Sequence, residues 1–166
     1  VHYSCFVSFM EIYNEKMRDL LNPTGTAKLF IREGSSKDRI ITVENLSIQP
    51  VTSASSALSL VNDGLSNRRV GVTNLNIRSS RSHAVFTLTL TCEEVDDSIT
   101  VTRKSQFHLI DLAGSERQTQ AATAGMALRE ACFINASLSA LGNVMRALTR
   151  RETHVPYRDS TLTHLL

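Results

Sequence analysis

Apolar, aromatic and β-branched side chains occupy both alternating faces of VHYSCFVSFMEIY, residues 1–13. That pattern predicts a strand buried on two sides, within a parallel or mixed sheet covered by helices. In NEKMRDLL the spacing of Met17, Leu20 and Leu21 predicts one helical face, closed by Asn22-Pro23. KLFIRE and IITVENL, either side of polar GSSKDR, predict a small hairpin. In PVTSASSALSLVNDGLSNRR, Thr52 or Ser53 is a candidate N-cap, and Ala57, Leu58, Val61 and Leu65 form the buried stripe of a helix. AVFTLTLTC and TVTRKSQFHLI predict two strands around the acidic turn EEVDDS. From Leu128, the series Ala131, Ile134, Leu138, Leu141, Met145 and Leu148 predicts the longest helix, ending before Pro156. With no internal repeat or low-complexity tract between these elements, a single domain follows.

Composition changes this picture little: 166 residues, 42% hydrophobic and 20% charged, are those of an ordinary globular chain. A formal charge of +2 is too small to imply nucleic acid as a partner, since polyanion binding depends on a clustered basic face. Cys5, Cys92 and Cys132 are far apart and lack ligand spacing, so reduced thiols and a reducing compartment are expected. No apolar run reaches the roughly 20 residues of a membrane span, and no membrane contact is expected from this segment. The sequence opens inside an apolar pattern at Val1 and stops at Leu165-Leu166. Both ends are expected to be internal to something longer.

The candidate chemistry sits in two stretches. FHLIDLAG is an apolar strand ending in Asp111, with Gly114 soon after. A carboxylate at a strand's carboxyl end can hold a magnesium-bound water, and a glycine lets its backbone N–H approach a terminal phosphate. By itself D-x-x-G favours the plainer reading, a strand followed by a turn glycine. NIRSSRSH, residues 76–83, adds Ser79 and Ser80, hydroxyls able to reach a phosphate oxygen or complete a magnesium shell. Arg81 could pair with Glu116 across the site and latch one loop to the other. The plain alternative is that these serines only turn the chain into AVFTLTL. His108, on the strand, reads as a packed core histidine.

Together, in this order, the two stretches resemble the nucleotide-sensing switches of the kinesin motor domain: switch I at 76–83 and switch II at 111–116. FMEIYNEKMRDLL, FINASLSALGNVMRAL and HVPYRDSTLTHLL are similar to further segments of that family, so the likeness spans nearly all of residues 1–166. Myosin shares the serine-arginine loop, but Ser82-His83, the AGSE continuation and PYRDS match kinesins.

The resemblance implies an α/β, three-layer αβα P-loop NTPase fold with an incomplete mixed sheet flanked by helices. It implies an ATP-hydrolysing microtubule motor as the parent protein, with ATP and Mg²⁺ as cofactors, in the cytoplasm on the cytoskeleton. It assigns Ser79 and Ser80 to the γ-phosphate, Ser80 and (through water) Asp111 to magnesium, and Gly114 to γ-phosphate sensing. Arg81 and Glu116 become the latch that helps position the attacking water, Asn76 and His83 brace the nucleotide loop, and Ser82 belongs to the nucleotide-binding set. A microtubule-facing helix and loop are implied at about 127–166. Arg117, Arg129, Arg150, Arg151, His154, Tyr157 and Arg158 are its candidate tubulin contacts, and oligomerisation is assigned to regions outside the sequence.

Two departures stand out. Where many kinesins read P-Y-R-D-S-K-x-T-R and N-K-S-L, this sequence has Thr161, His164 and Ala136, and from Leu112 onward it has no lysine. Weak microtubule binding is the expectation, because an acidic filament surface favours cations at the contact. None of the seven glycines is followed by lysine, so the G-x-x-x-x-G-K-[ST] phosphate cradle is absent from residues 1–166. These residues alone are therefore expected to be inactive and, with sheet neighbours missing, poorly stable. A non-catalytic, kinesin-derived microtubule-binding or scaffolding protein is the alternative reading, and a different P-loop NTPase with the same switch logic a distant third.

Overall fold

The computed structural model describes residues 1–34, 41–70, 81–96, 99–114 and 126–166, with side chains at 70, 96, 99 and 126–134 left aside. Its centre is a five-stranded sheet of order β2-β1-β6-β7, in which β5 joins the same edge of β1 as β2. The strands are β1 (His2–Tyr13), β2 (Lys16–Asp19), β5 (Gln49–Val51), β6 (His83–Asp96) and β7 (Ile99–Asp111). β3 (Phe30–Glu33) and β4 (Ile41–Glu44) form the separate two-stranded hairpin that the sequence predicts. Helices α1 (Ala54–Val70), α2 (Met126–Thr149) and α3 (Thr161–His164) complete the fold.

Alternation along β1 builds the layers. Phe9, with Leu20 and Ala84, packs towards Leu65 of α1. Met10 and Ile12 point the other way and pack with Val85, Leu162 of α3 and Leu141 of α2. Four consecutive residues, Phe9 to Ile12, are buried, as expected of a strand covered on both faces. The result is the three-layer αβα arrangement.

Several expectations are corrected. The sheet is not parallel: every strand pair among the described residues is antiparallel. NEKMRDLL is not a helix but a turn into β2, which pairs Tyr13 with Lys16. Asn14 and Glu15 both take positive φ, 53° and 58°. That is the two-residue turn whose twist matches antiparallel strands, and it overrides the local helical spacing. Ser53 is the N-cap of α1, accepting from the Ser56 backbone N–H at 3.1 Å. Leu58 is 62% exposed, because the inward face of α1 runs through Gly64 and Arg68 instead. On α2 the buried face is Ser137, Ala140, Val144 and Ala147, leaving Met145 and Leu148 exposed. The face is made of small side chains, which a hydrophobic count overlooks. His108 is exposed on β7, where its Nδ1 bonds Thr87 Oγ1 at 2.9 Å. β7 ends the strand order among the described residues, and Phe107 and Leu109 stand exposed on it.

Candidate functional site

The antiparallel register sets Ala84 opposite Asp111, so the start of β6 lies beside the end of β7. Ser82-His83 and Asp111 to Gly114 are thereby brought together at one edge of the sheet. On the α1 side, Arg68 organises them. Its guanidinium donates to Asp111 Oδ2 at 2.6 Å and to the Ser82 carbonyl at 2.8 Å. Its Nε lies 3.8 Å from Oε1 of Glu11, a fully buried carboxylate on β1. A planar, permanently charged fork suits this work, since one side chain must reach β1, the end of β7 and the residue just before β6. Asp111 itself is 71% exposed, so one carboxylate is anchored from below and faces outward at the strand tip. Hard oxygen of this kind fits a hydrated divalent cation, and the half-buried Gly114 follows directly.

On the α2 side, buried His83 holds a different set of groups. The Ala113 backbone N–H donates to its Nδ1 at 3.0 Å, and its Nε2 lies 2.8 Å from Ser137 Oγ. An amide can only donate, so Nδ1 carries the lone pair and the proton resides on Nε2, which donates to the serine. Burial pushes the His83 pKa below its ordinary value; Glu15 opposes that shift, Arg68 reinforces it, and Asp111 opposes it.

Of the residues expected to carry the chemistry, Ser82, His83, Asp111 and Gly114 are brought together. Arg81 is half-buried immediately before them. Asn76, Ser79, Ser80, Glu116 and Arg117 lie outside the described residues, as does the side chain of Arg129. The remaining basic candidates form a separate region. After α2, Arg151 takes a positive φ of 53°, and the Glu152 N–H bonds the Ala147 carbonyl at 3.0 Å, closing the helix end. Arg150 lies 4.0 Å from Glu152, and His154 is exposed. Tyr157 and Arg158 sit in a short 3-10 turn before α3. Arg158 grips Glu33 of the β3-β4 hairpin with two bonds, 3.0 and 2.6 Å, and His164 meets the same carboxylate at 2.7 Å. Thr161 turns inward instead of presenting a cation: its N–H donates to Glu15 Oε2 at 2.6 Å.

Arg68, Glu11, Ser137 and Glu33 were not singled out from the sequence. Arg68 had a signal, being a charge on the apolar stripe of α1, in step with Val61 and Leu65. Ser137 and Glu33 had none, because their roles depend on partners 54 and 125 residues away.

A family model of the kinesin motor domain matches residues 1–166. Among curated proteins, the chain is 46% identical over 168 residues to the kinesin-like protein KIF15 of Strongylocentrotus purpuratus, covering 99% of this chain and 11% of that protein. It is 45% identical over 166 residues to the kinesin-like protein KIN-14M of Oryza sativa subsp. japonica, covering 100% of this chain and 14% of that protein. Among solved structures, a fast kinesin, described for its ATPase mechanism and microtubule interactions, superposes with a TM-score of 0.82 at 42% identity. The match covers 99% of this chain and 46% of that one.

Proposed function

The chain belongs to the kinesin motor domain family, and from that premise we propose that it is the switch-bearing, filament-facing part of an ATP-dependent microtubule motor. The observation that carries this reading is the Arg68 junction. It holds the end of switch I, through the Ser82 carbonyl, and the first residue of switch II, Asp111, on one side chain. Segments that must sense the same phosphate are thereby anchored to one point.

In this reading Asp111 would hold magnesium through water, Ser79 and Ser80 would contact the γ-phosphate, and Ser80 would also be a magnesium ligand. Gly114 would sense the γ-phosphate, Arg81 and Glu116 would form the latch that helps position the attacking water, Asn76 and His83 would brace the loop, and Ser82 would belong to the nucleotide-binding set. Magnesium, bound with ATP, supplies charge neutralisation on the phosphoryl oxygens. The phosphate cradle is supplied by residues outside 1–166, so these residues alone do not turn over ATP. Arg117, Arg129, Arg150, Arg151, His154, Tyr157 and Arg158 face the microtubule, with the protein in the cytoplasm on the cytoskeleton. Among the described residues no helix is long and apolar enough to cross a membrane. Filament affinity is low, because Thr161 and His164 replace cations and Glu33 already engages Arg158 and His164.

The test is ATP hydrolysis by the complete polypeptide carrying residues 1–166. Magnesium-dependent turnover accelerated by microtubules supports the motor. Filament binding indifferent to nucleotide, without turnover, supports the scaffold instead.

A further inference from the structure

The bonds of His83 tie the middle of α2 to the corner where the first residue of β6 meets the loop after β7. We propose that His83 is a positioning residue coupling the nucleotide loop to the filament-facing helix, its Nε2-protonated imidazole tying the Ala113 amide to Ser137 Oγ. This inference rests on the motor reading above.

Ala113 is buried and adjoins Gly114, so any displacement of that glycine towards a phosphate pulls on the Ala113 amide. The amide is held at 3.0 Å by a ring that cannot turn without also breaking its 2.8 Å bond to Ser137. His83, Ser137 and Ala113 are all buried. Separating the pair would take from the buried Nε2–H the acceptor it has in Ser137, at a cost larger than the net worth of the bond itself. A shift of the loop is therefore cheaper if α2 moves with it. Ser137 belongs to the small-residue buried face of α2, with Ala140, Val144 and Ala147.

The imidazole also sets a condition on the link. A second proton at Nδ1 would turn that atom from acceptor to donor, facing an amide that also donates. Burial, reinforced by the Arg68 charge, favours the neutral ring, against the opposing charges of Glu15 and Asp111.

The experiment compares Ser137→Ala, Ser137→Thr and His83→Asn in the complete polypeptide, reading ATP turnover with and without microtubules, and thermal melting as a check on folding. Asparagine can accept from the Ala113 amide but is too short to reach Ser137. Ser137→Ala is expected to keep basal turnover within about twofold while microtubule stimulation falls about tenfold, a modest allosteric coupling. His83→Asn should lose stimulation to the same degree, and Ser137→Thr, which keeps the hydroxyl, should recover most of it. Full stimulation in Ser137→Ala overturns the coupling while leaving the motor reading intact. A wild-type polypeptide that turns over no ATP overturns both.

Discussion

Replacing Arg68 by methionine keeps the length and apolar stem of the side chain and removes its charge and its donors. Three of the interactions lost differ most in weight. The Asp111 contact is short, 2.6 Å, but that carboxylate is 71% exposed, so solvent screening leaves it about 0–1 kcal/mol. The bond to the Ser82 carbonyl is buried and charge-assisted, the kind that contributes about 1.5–3 kcal/mol. The Glu11 pair, 3.8 Å apart and buried on both sides, decides the outcome. Attraction at that distance is about 4 kcal/mol for an effective dielectric near 20, before desolvation is set against it. Removing one partner of such a pair typically costs about 3–5 kcal/mol, and the contributions are not additive. We expect Arg68→Met to lose about 3–5 kcal/mol in urea denaturation followed by circular dichroism, much of a domain's total stability. Arg68→Lys should recover little, since one ammonium cannot span the three partners. Glu11→Gln added to Arg68→Met should restore part of the loss by removing the buried charge. A loss below about 1 kcal/mol in Arg68→Met, or no gain from the second change, would refute the view that this pair dominates.

Gly64→Ala should destabilise despite its better helix propensity, worth about 1 kcal/mol. A Cβ there would stand 2.2 Å from Phe9 Cδ1, and that ring is held edge-on by Phe86 at 5.7 Å. Overpacking of about 1–3 kcal/mol should win, and Phe9→Leu should relieve it; a raised urea midpoint in the single variant would show the ring yields freely. Hydrogen bonds from Arg158, then His164, hold the Glu33 carboxyl at about 2, against 4.5 ordinarily. Because the folded value is depressed, the clamp is fully present above about 4.5 and is lost only as pH falls through about 2. Carbon NMR of the Glu33 carboxyl should titrate near that lower value and move up towards the ordinary range in Arg158→Ala; no change between the two proteins would contradict the clamp. The low His83 pKa acts in the same direction: the unfolded chain binds the extra proton more readily, so its contribution falls as pH drops below the ordinary histidine range.

Much of this was legible where local patterning and burial agree. β1 reads as doubly buried because both its faces are apolar, and the hairpin, Ser53 cap and long helix α2 follow from signals within a few residues. NEKMRDLL misled because apolar spacing cannot register a turn set by two positive φ values at Asn14 and Glu15. Met145 and Leu148 misled because α2 packs through Ser, Ala and Val, which carry little weight in a hydrophobic count. At the site, Asp111, Gly114 and His83 were legible as residues but not as geometry. Arg68, which gathers the site, lies 43 residues from Asp111 and 14 from Ser82, and no short motif spans such distances.

The central claim is that switch I and switch II converge on one magnesium-nucleotide. A double-mutant cycle between Ser80→Ala and Asp111→Asn, read as magnesium-dependent binding of a fluorescent ATP analogue to the complete polypeptide, tests it most directly. Convergence predicts that the second substitution costs much less once the first is made, with a coupling of at least about 1 kcal/mol. Losses that add to within about 0.5 kcal/mol would mean that the two residues act at separate places.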